Sequence, residues 1–170
     1  MHTQVIKVNN ILMTIRELLS ENMIEIGAAL YSKDEALDEL IRLQKQGGMI
    51  HNPGALKREI IRREKAGNSA AGCRIAIPDV AHSGSAKTAI SVVTVKDGVE
   101  YGAPDKRKVK LLFMIAGKSG SDEHKKVKAQ LQKLLSDPAF TAQLCAAQDQ
   151  KTFLALIDQK ENRHVNQPPR

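Results

Sequence analysis

Apolar residues recur at helical spacing towards both ends of the chain and at strand-like density in its middle. Near the front, Ile11, Leu12, Ile15, Leu18 and Leu19 fall on one helical face, which predicts an amphipathic helix over 8–20. A second stripe, Leu37, Leu40, Ile41 and Leu43, follows Ser32 and Glu35, whose spacing is that of a capping box. Gly47-Gly48 closes that helix by permitting left-handed backbone, and Met49-Ile50 reads as a short strand. Asn52-Pro53 opens a further helix, with a capping residue and then proline at the first helical position; it extends to Ala66, and Gly67 ends it.

The middle of the chain reads as strands. Cys73 to Ile77, Ala89 to Val95 and Val109 to Ala116 are β-rich runs bounded by Gly, Pro and Asp. The third, VKLLFMIA, is almost continuously apolar, as a strand covered on both faces must be. Gly98 to Tyr101 reads as a turn and edge strand. Helices then return. Ser121 is placed to cap one, with Asp122 and Glu123 in its first turn, where the helix dipole favours acids. Val127, Leu131, Leu134 and Leu135 form its apolar face. Asp137-Pro138 starts a short helix, and Asp149 starts the last, which carries Phe153, Leu154 and Ile157. Helices before and after a sheet-forming centre predict an α/β sandwich.

No interior linker or repeat divides the chain, so residues 1–158 read as one domain, with 1–20 as an extra N-terminal helix. The end, QKENRHVNQPPR, is polar and proline-terminated, which predicts a disordered tail over 159–170. No apolar run approaches the roughly 20 residues of a membrane span. The start, MHTQVIKVNN, lacks the apolar core and cleavage site of a signal peptide, so the expected compartment is the cytoplasm. Cys73 and Cys145 belong to no CxxC or CxxH pattern and read as buried small side chains.

Charge adds one question. The formal net charge is +7, and the basic residues gather at Lys57 to Lys65, Lys106 to Lys110 and Lys125 to Lys133. Nucleic acid is the first partner to weigh for such a chain. An aromatic content of 3%, with no Trp, leaves no platform for stacking bases, and Glu59 and Glu64 interrupt the basic helix. Solvated helix faces account for the charge as well as an anionic partner does, and nucleic acid is disfavoured.

Four features carry candidate chemistry. Arg63, beside Glu64 at a helix end, has the two-pronged donor geometry that holds phosphate, or is a surface ion-pair residue. The loop GNSAAGCRIAIP, with Asn68, Ser69, Ala70 and Ala71 between Gly67 and Gly72, permits close backbone approach by a ligand, although the P-loop pattern is absent. Asp79-Val80-Ala81-His82 follows Pro78, and an imidazole at a strand end is a candidate nucleophile. His124 falls on the buried stripe of its helix, where a histidine is either a hydrogen-bonded core residue or part of a site.

In order along the chain, these segments resemble the fructose/mannitol-type enzyme IIA domains of the bacterial sugar phosphotransferase system. SKDEALDELIRLQKQGG matches the family's helix and GG turn; RREKAGNSAAGCRIAIPD matches its Arg-Glu helix end, small-residue loop and Ile-Ala-Ile-Pro-His. AISVVTV, GVEYG, VKLLFMIAG and Asp122-Glu123-His124 follow in the family's order, so the resemblance covers residues 22–158. It implies an α/β fold with a mixed β-sheet flanked by helices on both faces. It also implies a domain that takes a phosphoryl group on histidine from the histidine-containing phosphocarrier protein. The group then goes to an enzyme IIB, and on to a sugar entering through the membrane enzyme IIC, with no metal or cofactor required. The supporting arginine maps to Arg63 and the supporting histidine to His124. Arg63, Ser69 and Gly72 are the candidate phosphate-binding residues.

The acceptor position maps to Asp79, which departs from the family. An aspartate with a reference pKa of about 3.9 is ionised near neutral pH, and its charge repels an incoming phosphoryl group. His82 is the substitute acceptor if the chain turns tightly after Pro78. If residues 79–82 are extended, three steps carry His82 roughly 10 Å away and onto the opposite face. Two readings follow: a phosphocarrier using His82 with His124 and Arg63, or a phosphorylation-silent relative with a regulatory or binding role.

Overall fold

The structure is a computed structural model and describes residues 13–82 and 84–165. A short helix α1 (Ile15–Leu18) and a single 3-10 turn (Glu21–Met23) lead into β1 (Ile24–Ala28). Helices α2 (Lys33–Gln46) and α3 (Pro53–Ala66) follow, then the short strands β2 (Ala70–Gly72), β3 (Ile75–Ala76) and β4 (Asp79–His82). The long strands β5 (Ala89–Val99) and β6 (Val109–Lys118) precede α4 (Glu123–Leu134), α5 (Pro138–Ala146) and α6 (Gln150–Val165).

The sheet is mixed, in the order β1-β5-β6-β3-β2, with β4 also paired to β6. β5 and β6 are antiparallel, while β1 runs parallel to β5 and both β3 and β4 run parallel to β6. The apolar run of β6 serves both faces by strand alternation. Leu111, Phe113 and Ile115 enter a core with residues of α1, α4, α5 and α6, whereas Leu112, Met114 and Ala116 enter a core with residues of α2 and α3. The α/β sandwich is thus the observed architecture, helices lying on both faces.

Local signals hold where a side chain meets a helix end. Asn52 Oδ1 accepts from the Ala55 N–H at 3.0 Å, and Asp137 Oδ1 from the Ala139 N–H at 3.0 Å. Gly48 takes the left-handed conformation after α2, with φ 73°. Ser32 Oγ accepts from the Glu35 N–H, but Glu35 Oε2 accepts from the Tyr31 N–H at 2.8 Å and not from that of Ser32. The reciprocal capping box lies instead at Thr14 and Glu17.

Several expectations change. The N-terminal helix is confined to α1 within the described residues; positions 8–12 of the expected helix lie outside them. Cys73 to Ile77 is not one strand, because Cys73 and Arg74 adopt φ 57° and 63° and form the turn between β2 and β3. That turn leaves Cys73 exposed, while Cys145 is half-buried. Gly98 and Val99 belong to β5, beside a register shift against β6. Ile50 makes only an isolated bridge, to Ser85. Residues 159–165 of the expected tail are the end of α6, and 166–170 lie outside the description. Two ties hold that segment: Lys160 pairs with Asp137 at 2.8 Å, and the Glu161 carboxylate accepts the N–H groups of Ile15 and Arg16, both at 2.8 Å. Among the described residues no helix is long and apolar enough to cross a membrane.

Candidate functional site

The end of α3, the start of β4 and the first turns of α4 converge at one end of the sheet. Pro78 brings the chain there: its carbonyl accepts the Ile115 N–H at 2.9 Å, and Asp79 then pairs with Ile115 in register. Sharing the register of Ile115 turns the Asp79 side chain towards α4. The carboxylate is only 7% exposed, so it requires partners. It has three. Oδ2 lies 2.8 Å from His124 Nδ1 and 3.3 Å from Arg63 Nη2, and Oδ1 lies 2.8 Å from Lys128 Nζ.

Burial opposes ionisation of Asp79, but the hydrogen bond and charge of Lys128, the hydrogen bond of His124 and the charge of Arg63 outweigh it. Its pKa is held below the usual carboxylate value. An ionised carboxylate only accepts, so the Nδ1 of His124 is the donating nitrogen. The close approach of His124 depends on Gly117 in β6, where a Cβ would stand 3.0 Å from the His124 Cβ. Lys128 was not singled out from the sequence. Its signal is its place four residues after His124, one turn along the same face.

An open cleft of about 440 Å³ lies over this cluster, lined among others by Arg62, Arg63, Glu64, Ser69, Asp79 and Lys128. Arg63 is 39% exposed and lines the cleft together with Asp79. Glu64 faces inward, where Lys33 Nζ lies 2.7 Å from Oε2, the Ser69 N–H donates to Oε2 at 3.2 Å and the Tyr101 hydroxyl donates to Oε1 at 3.3 Å. Burial and the neighbouring Glu64 push the Tyr101 phenol well above its ordinary pKa, so the hydroxyl keeps its proton. Ser69 Oγ is itself 2.9 Å from the Tyr101 hydroxyl. Ser69 therefore forms a braced wall of the cleft, with both its hydroxyl and its N–H engaged.

The remaining expected residues lie elsewhere. Gly72, at φ 112°, adjoins the Asp105 carboxylate and is not on the cleft wall. β4 is extended through His82, which pairs with Lys118, so alternation places His82 on the Val80 face, towards α3, and away from Asp79. Its Nε2 is buried beside Gly84 with no hydrogen-bond partner among the described residues. Asp79, Arg63 and His124 come together, and His82 does not join them.

A mixed-sheet sandwich with a cationic cleft at a sheet end is the class of protein defined here. The sequence matches the model of the family described as phosphoenolpyruvate-dependent sugar phosphotransferase system, EIIA 2, over residues 17–160, and the chain belongs to that family. It is 29% identical over 150 residues to the fructose-specific EIIABC component of Bacillus subtilis, covering 88% of this chain and 24% of that protein. The chain spans about a quarter or less of the length of the first curated relatives it matches. Its fold is similar to that of the nitrogen regulatory protein IIA-Ntr from Neisseria meningitidis, with TM-score 0.77 and 22% identity over 84% of this chain and 98% of that one. It is also similar to enzyme IIA of mannitol in its complex with phosphorylated enzyme IIB from Escherichia coli, with TM-score 0.72 and 22% identity over 83% and 97% of the two chains.

Proposed function

We propose that this chain is a phosphorylation-silent enzyme IIA-type domain, which engages proteins of a sugar phosphotransferase system at its cleft and acts there by binding. One observation carries the reading: the carboxylate of Asp79 already takes up the hydrogen-bond donors that would hold a transferred phosphoryl group. Two contacts at 2.8 Å and one at 3.3 Å engage Lys128, His124 and Arg63. Attack by Asp79 would require an ionised group to leave these partners and approach a second anion. The partners the reading implies are the histidine-containing phosphocarrier protein, an enzyme IIB and a membrane enzyme IIC. The solved complex of the mannitol enzyme IIA with phosphorylated enzyme IIB supports the second of these.

A working phosphocarrier is the second reading, and His124 is what favours it. With Nδ1–H fixed on Asp79, Nε2 is the ring nitrogen left to act, the arrangement by which a carboxylate orients a nucleophilic or basic imidazole. The alternative acceptor His82 receives no such support, since its ring lies on the other face of β4.

Incubation with phosphoenolpyruvate, enzyme I and the phosphocarrier protein separates the readings. The silent domain should show no gain of phosphate by intact mass, yet should still bind the phosphocarrier protein or an enzyme IIB. One acid-labile phosphate on His124 or His82 would overturn the silent reading in favour of the carrier.

A further inference from the structure

A second built surface lies away from the cleft. Three non-glycine residues among those described have left-handed backbone, Cys73, Arg74 and Lys106, at φ 57°, 63° and 60°. All three belong to one rim, where the β2–β3 turn meets the loop before β6. L-residues seldom adopt this conformation, and it persists only where surrounding contacts fix it. Asp105 supplies some of these contacts: Oδ2 accepts the Cys73 N–H at 3.0 Å and Oδ1 the Arg107 N–H at 3.1 Å, while the Lys106 N–H donates to the Ala103 carbonyl at 2.9 Å. The Lys110 N–H donates to the Arg74 carbonyl at 2.8 Å and joins the two segments.

The rim displays Arg74, Lys106, Arg107, Lys108 and Lys110. Lys106, Arg107 and Lys108 are exposed, and Arg74 and Lys110 are half-exposed. None of the five makes an ion pair among the described residues. Asp105 is committed to backbone amides, and the acids of the adjoining hairpin, Asp97 and Glu100, are outnumbered. Tyr31, 80% exposed, lines the same small cleft as Lys108.

We propose that this rim docks the domain on an anionic lipid bilayer surface. Exposed, unpaired cations at a sheet edge fit a broad field of negative headgroups, and an exposed tyrosine beside them suits the interface between headgroups and water. A nucleic acid would be better served by a helix for the major groove or by several aromatic rings for stacking, and the rim offers neither. Lys110 lies five strand steps from Ile115, the partner of Asp79, or roughly 16 Å along β6. Docking there leaves the cleft open, and the proposal stands independently of whether the cleft carries phosphate.

The test is co-sedimentation of the full chain with phosphatidylcholine vesicles, with and without phosphatidylglycerol, at low and high salt. Binding should require phosphatidylglycerol and weaken with salt. Each cation removed should weaken partitioning about fivefold, so the double variant Arg107→Ala, Lys108→Ala should lose about 25-fold. Both side chains are exposed, and the hydrogen bond from Arg107 to Asp105 runs through its backbone N–H, which alanine keeps, so the variant should stay close to the wild-type circular dichroism melt. Absence of phosphatidylglycerol-dependent binding, undiminished binding by the double variant, or a preference for double-stranded DNA over the vesicles would each overturn the proposal.

Discussion

Lys128 Nζ stands 2.8 Å from Asp79 Oδ1, one helical turn beyond the histidine that holds Oδ2. The pair joins α4 to β4 across the edge of the core. Replacing Lys128 with methionine leaves a buried carboxylate short of its strongest partner. Arg63 and His124 remain and Lys128 is 28% exposed, so the expected loss is about 1–3 kcal/mol, below that for a fully enclosed pair. Asp79→Leu combined with Lys128→Met should recover part of this loss, because apolar packing removes the uncompensated charge. Urea denaturation of the single and double variants measures both. A Lys128→Met midpoint equal to that of the wild type would show that the pair contributes nothing to stability.

The same carboxylate sets an acid dependence. Its folded pKa is depressed below the unfolded value, so its contribution to stability is present in full above about pH 4, the unfolded carboxylate range, and is lost as pH falls through the folded value. Asp79→Asn should flatten that acid limb of the stability curve relative to the wild type. Denaturant midpoints across the acid range check it, and parallel curves for the two proteins would refute the assignment.

Helix ends were legible in the sequence because capping is local: Asn52-Pro53 and Asp137-Pro138 open helices where their spacing places them. β1 leaves little signal in the sequence, since it has five residues with a left-handed Gly27 and a register shift inside it. The turn at Cys73-Arg74 has neither glycine nor asparagine at its two left-handed positions; Asp105, 32 residues on from Cys73, accepts the Cys73 N–H there. At the site, spacing makes Arg63, Asp79 and His124 candidates, and the family motifs assign their roles. The face on which His82 lies is set by strand register, a long-range property. Lys128 looks like one more lysine beside Lys125 and Lys126, and only the three-dimensional placement of Asp79 distinguishes it.

Gly117 is the contact on which the position of His124 rests. Gly117→Ala would set a methyl 3.0 Å from the His124 Cβ, and an atom anchored to the helix backbone yields little. The helix should shift outward and lengthen the 2.8 Å contact to Asp79. The expected cost is about 1–3 kcal/mol, read by thermal or urea unfolding. The His124 ring resonances should shift as well. A neutral substitution with unchanged ring resonances would show that the helix end is free to adjust.

Under the silent reading proposed above, Asp79→His tests whether residue 79 alone withholds phosphoryl transfer. The substitution removes the internal anion and frees Lys128, Arg63 and His124 from it, while placing an imidazole at the position where the family carries its phosphoryl group. Those three groups would then stabilise an added phosphate by charge-assisted hydrogen bonds. With phosphoenolpyruvate, enzyme I and the phosphocarrier protein, the variant should gain one acid-labile phosphate that the wild type does not. Adding Arg63→Ala to that variant should cut the labelling rate by about 10- to 1000-fold, the range for losing one charged stabiliser of a transferring group. A variant that folds, binds the phosphocarrier protein and stays unlabelled would show that the barrier lies in the geometry around the cleft and not in the carboxylate itself.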